Sequence, residues 1–281
     1  MIRDDRRRTT DDRRKWRTAV GRPSSVVNPK TMHRFFVHPE AIKEQEAHIG
    51  GEVAHQISRV LRMQVGDEIC LLDGAGYEYQ VSLLTVGASE CVGRVIEKAK
   101  GSGEPRCQVT LYISLLNKVD KFEWALQKCT EIGAARFVPV RSARSISDTP
   151  GATKIDRWKR IIQEAAEQSG RAIIPTLAEC TTLQAAIRQE RAALGNTVAG
   201  NHVALFPTLG AQQTLKDALQ KTAQVNTIAI FVGPEGGFTQ DEVNDALTAG
   251  IQAVTLGPRT LRAETAAVAG LAMALYALGD M

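Results

Sequence analysis

Two loops near the carboxy end gather the residue types that could do chemistry on a bound ligand. One, Gly233-Pro234-Glu235-Gly236-Gly237-Phe238, follows the apolar run 228–232; the other, Gly257-Pro258-Arg259-Thr260-Leu261-Arg262-Ala263-Glu264-Thr265, follows a run that ends at Leu256. Glycine permits positive φ and close approach of the backbone, and proline stiffens the same turn, so each loop can hold a flat molecule by main-chain groups. Arg259 and Arg262 add fixed cations that can stabilise an anion formed as a proton leaves, and Glu264 is the nearest carboxylate to take that proton, directly or through water. A glutamate at a helix start is also favoured by the helix dipole, and this reading of Glu264 stands beside the catalytic one. Neither loop fits GxGxxG opening a helix after a first strand, nor GxxxxGK[ST], which argues against a dinucleotide or a triphosphate. The pattern calls for a cofactor held without a phosphate cradle.

The elements that must position these loops alternate between strand and helix. Residues 109–115 form a β-rich run; Val119, Phe122, Leu126, Cys129 and Ile132 then fall three or four apart on one helical face that ends at Gly133. A strand at 136–140 precedes a helix carrying Ile155, Trp158, Ile161, Ile162 and Ala165 that stops at Gly170. Strands are expected at Ile173-Ile174, 203–206, 228–232 and 253–256, with helices near 209–220 and 240–249 and a last one from about Ala263. Repeated βα units imply an α/β domain with a mostly parallel sheet, whose ligand crevice lies beyond the carboxyl ends of the strands. Before it, from Phe35 to about Lys98, short apolar runs separated by Gly-Asp and Asp-Gly turns read as a small β-barrel. Lys100-Gly101-Ser102-Gly103-Glu104-Pro105-Arg106 reads as the linker, giving domains at 32–103 and 104–281.

Residues 1–31 carry ten Lys or Arg against four Asp, a net +6, with few large apolar side chains, and read as a disordered basic extension. Asp4, Asp5, Asp11 and Asp12 set it apart from an organelle transit peptide. The remainder of the chain is close to neutral at −2, so any RNA contact must come from local basic patches rather than from the field of the whole molecule. Cys70, Cys91, Cys107, Cys129 and Cys180 show no CxxC or Cys/His spacing and read as buried thiols of a cytoplasmic protein; His33, His38, His48, His55 and His202 lack partners at ligand spacing, so no metal is expected. The apolar stretch 265–279 is too short for the roughly 20 residues of a membrane span. It is apolar on all sides, more than one sheet face can bury, which suggests a partner helix from a second copy.

The paired loops, from Phe231 to Phe238 and from Leu256 to Ala266, resemble the cofactor loops of the RsmE family of 16S rRNA uridine-1498 N3-methyltransferases. The likeness extends to Lys121, Glu123 and 127–133, then Arg157-Trp158 and 164–169, and, in the barrel, to His55, 60–63, Gly66-Asp67 and Asp73-Gly74. The resemblance implies a SPOUT methyltransferase domain threaded into a trefoil knot, a PUA-like RNA-binding barrel, S-adenosyl-L-methionine as cofactor, 16S rRNA of the small subunit as substrate, and a homodimer. By the same carry-over, Gly233, Glu235, Gly236, Leu256, Gly257, Leu261 and Arg262 surround the cofactor, and the strand end at Leu205 and Phe206 supplies a further cofactor loop, although Leu205-Phe206-Pro207-Thr208 departs from the expected His-Pro-Glu type. Arg34, His55 and Arg62 in the barrel and Arg141 and Arg144 in the catalytic domain are the candidate RNA contacts. Helical Glu131, Glu164, Glu167 and Gln168 could line a uridine pocket or form a solvated face. Two other readings remain open: a methyltransferase of the same class acting on another nucleotide or on a ribose 2′-hydroxyl, and an RNA-binding assembly factor without catalysis.

Overall fold

In this computed structural model the described residues are 32–146, 149–196, 201–220 and 224–281. The basic extension read over 1–31 lies outside them. Alternating side chains curl the first sheet around its own core: β1 (Arg34–Phe36), β2 (Ile42–Lys43), β3 (Glu46–Gly50), β4 (Glu68–Leu72), β5 (Tyr77–Val86) and β6 (Glu90–Lys100) pair in the order β1-β4-β5-β6-β3-β2. Ala47, Ile49, Ile69, Leu71, Val81 and Leu83 point inward at period two. A short helix, α1 (Gly51–His55), continues as a wider turn through Val60 and fills the open side with Ala54 and Ile57. The end strands β1 and β2 are not neighbours, so the expected barrel is a curled half-barrel.

The second sheet carries the site. It is built from β7 (Gln108–Ser114), α2 (Val119–Ile132), β8 (Arg136–Arg141), α3 (Ala152–Ser169), β9 (Thr176–Leu177), β10 (Thr181–Thr182), α4 (Leu183–Asn196), β11 (His202–Pro207), α5 (Leu215–Gln220), β12 (Thr227–Val232), α6 (Gln240–Thr248), β13 (Gln252–Val254) and α7 (Ala263–Ala277). Its strands are parallel throughout, in the order β10-β8-β7-β12-β11-β13 with β9 beside β8. Both faces are covered, which is why the strands read as unbroken apolar runs. Leu111, Ile113 and Ile230 face α2, α3, α5 and α7, while Tyr112, Phe206 and Phe231 face α4 and α6.

From β13, at the edge beside β11, the chain returns to the middle of the sheet, where α7 packs on α2, β7 and β12. On the way it crosses the segment that follows β11: Thr255 N donates to Gln213 O at 2.8 Å, Leu215 N donates to Thr255 O at 3.4 Å, and α5 lies against α7. The chain after β13 thus passes against the segment after β11 before α7 reaches the middle of the sheet, the kind of crossing that the expected knot requires.

Several sequence expectations are corrected. No strand forms at Ile173-Ile174, because the Ala172 and Ile173 N–H groups donate to the Glu104 carboxylate at 3.0 Å each, and pairing with β8 begins only at Thr176. The helix expected over 209–220 shrinks to Leu215–Gln220, since Gly210 turns at φ 84° and Thr214 bridges to Thr255. Helix α4 went unread, although Leu183, Ala186, Ile187 and Glu190 recur at helical spacing and are its buried residues. The linker is irregular in backbone but fastened in place: Glu104 receives Arg171 Nη2 at 2.6 Å, and Arg171 Nη1 also donates to Thr130 O and Ala134 O.

Candidate active site

A cavity of 680 Å³ opens at the carboxyl ends of β11, β12 and β13, between the chain after each strand. Its walls are the segments 207–209, 231–238 and 255–263, with Lys121 of α2 and Arg144 of the β8–α3 loop at its margin. Cofactor pockets commonly measure about 300–1,000 Å³ and are mostly apolar with a few polar groups. This one fits that description, with Phe231, Val232, Leu256, Leu261 and Ala266 as apolar lining.

The walls are held by short polar ties. In the first loop Gly237 N donates to Pro234 O at 2.8 Å, closing a turn, and the Glu235 carboxylate accepts Asn117 N at 3.2 Å. Thr239 and Glu242 form a reciprocal capping box at the start of α6. Glu242, only 3% exposed, uses its other oxygen to accept Ala143 N at 2.6 Å, and Arg144 Nη1 donates to Gly236 O at 2.7 Å. The β8–α3 loop and the 233–238 loop are thereby locked together. In the second loop Gly257 turns at φ 116°, a conformation that disfavours any side chain, and its N–H and C=O both bond the Thr255 hydroxyl at 3.1 Å.

Glycine is required where the walls close in. A Cβ on Gly233 would lie 3.2 Å from the Phe238 ring, and one on Gly236 would lie 3.3 Å from Arg144 Cδ. A side chain at either position would press on its neighbour and shift the wall of the cavity.

Of the residues singled out in the sequence, Gly233, Glu235, Gly236, Leu256, Gly257, Arg259, Leu261 and Arg262 line this one cavity. Leu205 and Phe206 do not. Leu205 is wholly buried, and the Phe206 ring packs tilted against that of Phe238 with centroids 4.2 Å apart, so the lining after β11 falls to Pro207, Thr208 and Leu209. Arg259 and Arg262 are exposed, and neither guanidinium makes a hydrogen bond or ion pair among the described residues. Glu264 sits in the first turn of α7 with its side chain 12% exposed; Oε1 lies 3.5 Å from Lys121 Nζ, and buried Oε2 has no hydrogen-bond partner.

The candidate RNA contacts divide. His55, Arg62 and Arg141 are exposed, Arg62 with a left-handed backbone at φ 54°. Arg34 is spent inside the molecule: it pairs with Glu78 at 2.7 Å and its side chain is 16% exposed. Arg144 belongs to the cavity rim. Of the helical carboxylates, Glu131 pairs with Lys128 and Glu167 accepts Phe36 N, while Glu164 and Gln168 face solvent; none lines the cavity. Pro207 and Thr208, the far end of the segment singled out after β11, line the cavity, whereas sequence reasoning did not single out Leu209 or Glu242 as site residues. Only Glu242 had a local signal, the Thr239-Gln240-Asp241-Glu242 capping pattern. Among the described residues no group of three or more His, Cys, Asp or Glu could hold a metal ion, and no helix is long and apolar enough to cross a membrane.

A parallel sheet with a glycine-walled cavity at the carboxyl ends of its strands, preceded by a curled half-barrel, is the architecture of the SPOUT RNA methyltransferases. The RNA methyltransferase domain model matches residues 103–275 and the RNA methyltransferase PUA domain model residues 49–96. The chain is 36% identical over 244 residues to ribosomal RNA small subunit methyltransferase E of Synechocystis, covering 85% of this chain and 76% of that protein. It is 34% identical over 257 residues to the Bacillus subtilis protein of the same name, covering 87% and 96%. The crystal structure of ribosomal RNA small subunit methyltransferase E from Neisseria gonorrhoeae bound to S-adenosyl methionine superposes with a TM-score of 0.76 at 28% identity, covering 87% of this chain and 97% of that one. The chain belongs to the ribosomal RNA small subunit methyltransferase E family.

Proposed function

We propose that this protein transfers a methyl group from S-adenosyl-L-methionine to N3 of a uridine, of the 1498 type, in 16S rRNA of the small ribosomal subunit. The observation that carries the reading is the pair of uncompensated arginines, Arg259 and Arg262, on the wall of the glycine-lined cavity. Bound S-adenosylmethionine supplies an electrophilic methyl on a sulfonium. Gly233, Glu235, Gly236, Leu256, Gly257, Leu261 and Arg262 hold the cofactor; Leu205 and Phe206 support its pocket from behind. As the N3–C bond forms and the methyl–sulfur bond breaks, the N3 proton must leave. Arg259 and Arg262 stabilise the charge that moves onto the uracil carbonyl oxygens. The proton leaves to water, because the Glu264 carboxylate, the nearest in sequence to the arginines, lies behind the cavity wall with Oε2 sealed from solvent.

RNA is docked by the half-barrel through His55 and Arg62 and by Arg141 beside the catalytic sheet. The working unit is a homodimer in the cytoplasm, where ribosomal subunits are made. Helix α7 leaves Met273 39% and Tyr276 76% exposed, and neighbouring α2 leaves Trp124 42% exposed, large apolar surfaces that a second copy would cover.

The test is methyl transfer from labelled cofactor to small subunits purified from a strain lacking the enzyme, followed by nucleoside analysis. Label in N3-methyluridine is expected; label on a ribose or on another base would overturn the acceptor. An assembly factor without catalysis would leave S-adenosylmethionine unbound in calorimetric titration.

A further inference from the structure

The cavity margin holds a third cation with a different setting from the two arginines. Lys121, in the first turns of α2, lines the cavity with its side chain 26% exposed, whereas Arg259 and Arg262 stand in solvent. Its nearest partner, Glu264 Oε1, is 3.5 Å away, outside the roughly 2.7–3.2 Å of an N–H···O bond. The ammonium is thus drawn toward the carboxylate without committing its N–H donors to it. Glu264 cannot itself reach a substrate: its Oε2 is sealed from solvent and it is not part of the cavity wall. A half-buried cation stabilises a developing negative charge more strongly than an exposed one, because less water screens it.

We infer that Lys121 is a catalytic residue that donates a hydrogen bond to a carbonyl oxygen of the acceptor base, and that Glu264 is the positioning residue that holds its ammonium at the cavity wall. The inference rests on the methyl-transfer reading above and adds a residue to it. Its chemistry is balanced without further reactants. The ring's electron pair shifts toward the carbonyl oxygen as N3 loses its proton to water, Lys121 stays protonated throughout, and the methyl group replaces the proton on N3.

The experiment measures single-turnover and steady-state methyl transfer to small subunits for Lys121→Met, Lys121→Arg, Glu264→Gln and the Lys121→Met/Glu264→Gln double variant, with calorimetric S-adenosylmethionine binding on each. Loss of one preorganised donor costs about 100-fold or more in kcat. The expected result is a kcat lower by about that factor in Lys121→Met, with KM for the subunit and cofactor affinity within about twofold of wild type. Lys121→Arg should recover a tenth or more of the wild-type rate, roughly one decade of loss at most. Glu264→Gln should lose less than Lys121→Met, and the double variant no more than Lys121→Met alone, because both act through one ammonium. Wild-type kcat in Lys121→Met, a loss confined to KM, or additive losses in the double variant would overturn the inference. If Lys121→Met does not bind cofactor, Lys121→Gln decides on the same criteria. Should the labelled nucleoside be other than N3-methyluridine, the acceptor assignment fails while the Lys121 comparison still reads out on the nucleoside found.

Discussion

Glu242 makes no contact with the cavity, yet it should govern cofactor affinity. Its two carboxylate oxygens are divided between Thr239 N at 2.8 Å and Ala143 N at 2.6 Å, so one buried side chain ties the start of α6 to the β8–α3 loop. In Glu242→Gln the amide keeps one acceptor oxygen and turns an NH2 toward the other backbone donor. One charge-assisted bond, worth about 1.5–3 kcal/mol, is lost, and the other drops to the ~1 kcal/mol of a neutral bond. The sum is a destabilisation of about 3 kcal/mol. If about half of it appears as local loosening of the two loops, the open-to-closed ratio rises about tenfold, and the apparent Kd for S-adenosylmethionine rises by up to about the same factor. Urea unfolding and isothermal titration calorimetry measure the two numbers. Thr239→Ala is the control, because it removes the hydroxyl cap, worth about 1 kcal/mol, and leaves the tie to Ala143 intact. Stability within about 0.5 kcal/mol of wild type, the usual scatter for an inconsequential surface change, together with an unchanged Kd, would refute the reasoning.

Gly257→Ala forces a side chain onto φ 116° and should cost about 1–3 kcal/mol and weaken cofactor binding, read by the same titration. Glu104→Ala strands Arg171, 3% exposed, without its carboxylate, and should destabilise by about 3–5 kcal/mol in urea unfolding. Tyr112 is held well above the usual phenol range, first by burial and then by its hydrogen bond to Glu190. The unfolded chain releases that proton near pH ~10 while the folded one keeps it, so the contribution is whole below that pH and falls by about 1.4 kcal/mol per unit above it. Tyr112→Phe should show a shallower alkaline decline in its urea midpoint, and parallel curves would contradict this. Burial pushes the Cys107 thiol up to about 12, with Asp280 adding to it, so its alkylation by iodoacetamide at pH 8 should be far slower in the native protein than in urea, as mass spectrometry would show.

What could be read from the sequence follows from the range over which each feature is encoded. The ends of α2 and α3 were visible because a single glycine in a positive-φ conformation stops each helix, Gly133 at 122° and Gly170 at 77°. The two loops that line the cavity were visible because Gly-Pro after a buried strand is a local pattern. The short bounds of α5 and the absence of a strand at Ile173 were not, since each is decided by a partner far away in the chain: Thr255 for the first, Glu104 for the second. Arg34 illustrates the same limit. In the sequence Arg34 is one of the half-barrel's free cations and so a candidate RNA contact, but Glu78, brought alongside by the β4–β5 pairing, takes the guanidinium at 2.7 Å. Lys121 and Glu264 meet only because α7 returns from the sheet edge to lie on α2, so the charge pair at the cavity is a product of the threading itself. A variant that folds with α7 undocked would lose that pair and the second cofactor loop together. Methyl transfer should therefore fail in step with α7 docking, before the half-barrel, whose core is separate, unfolds.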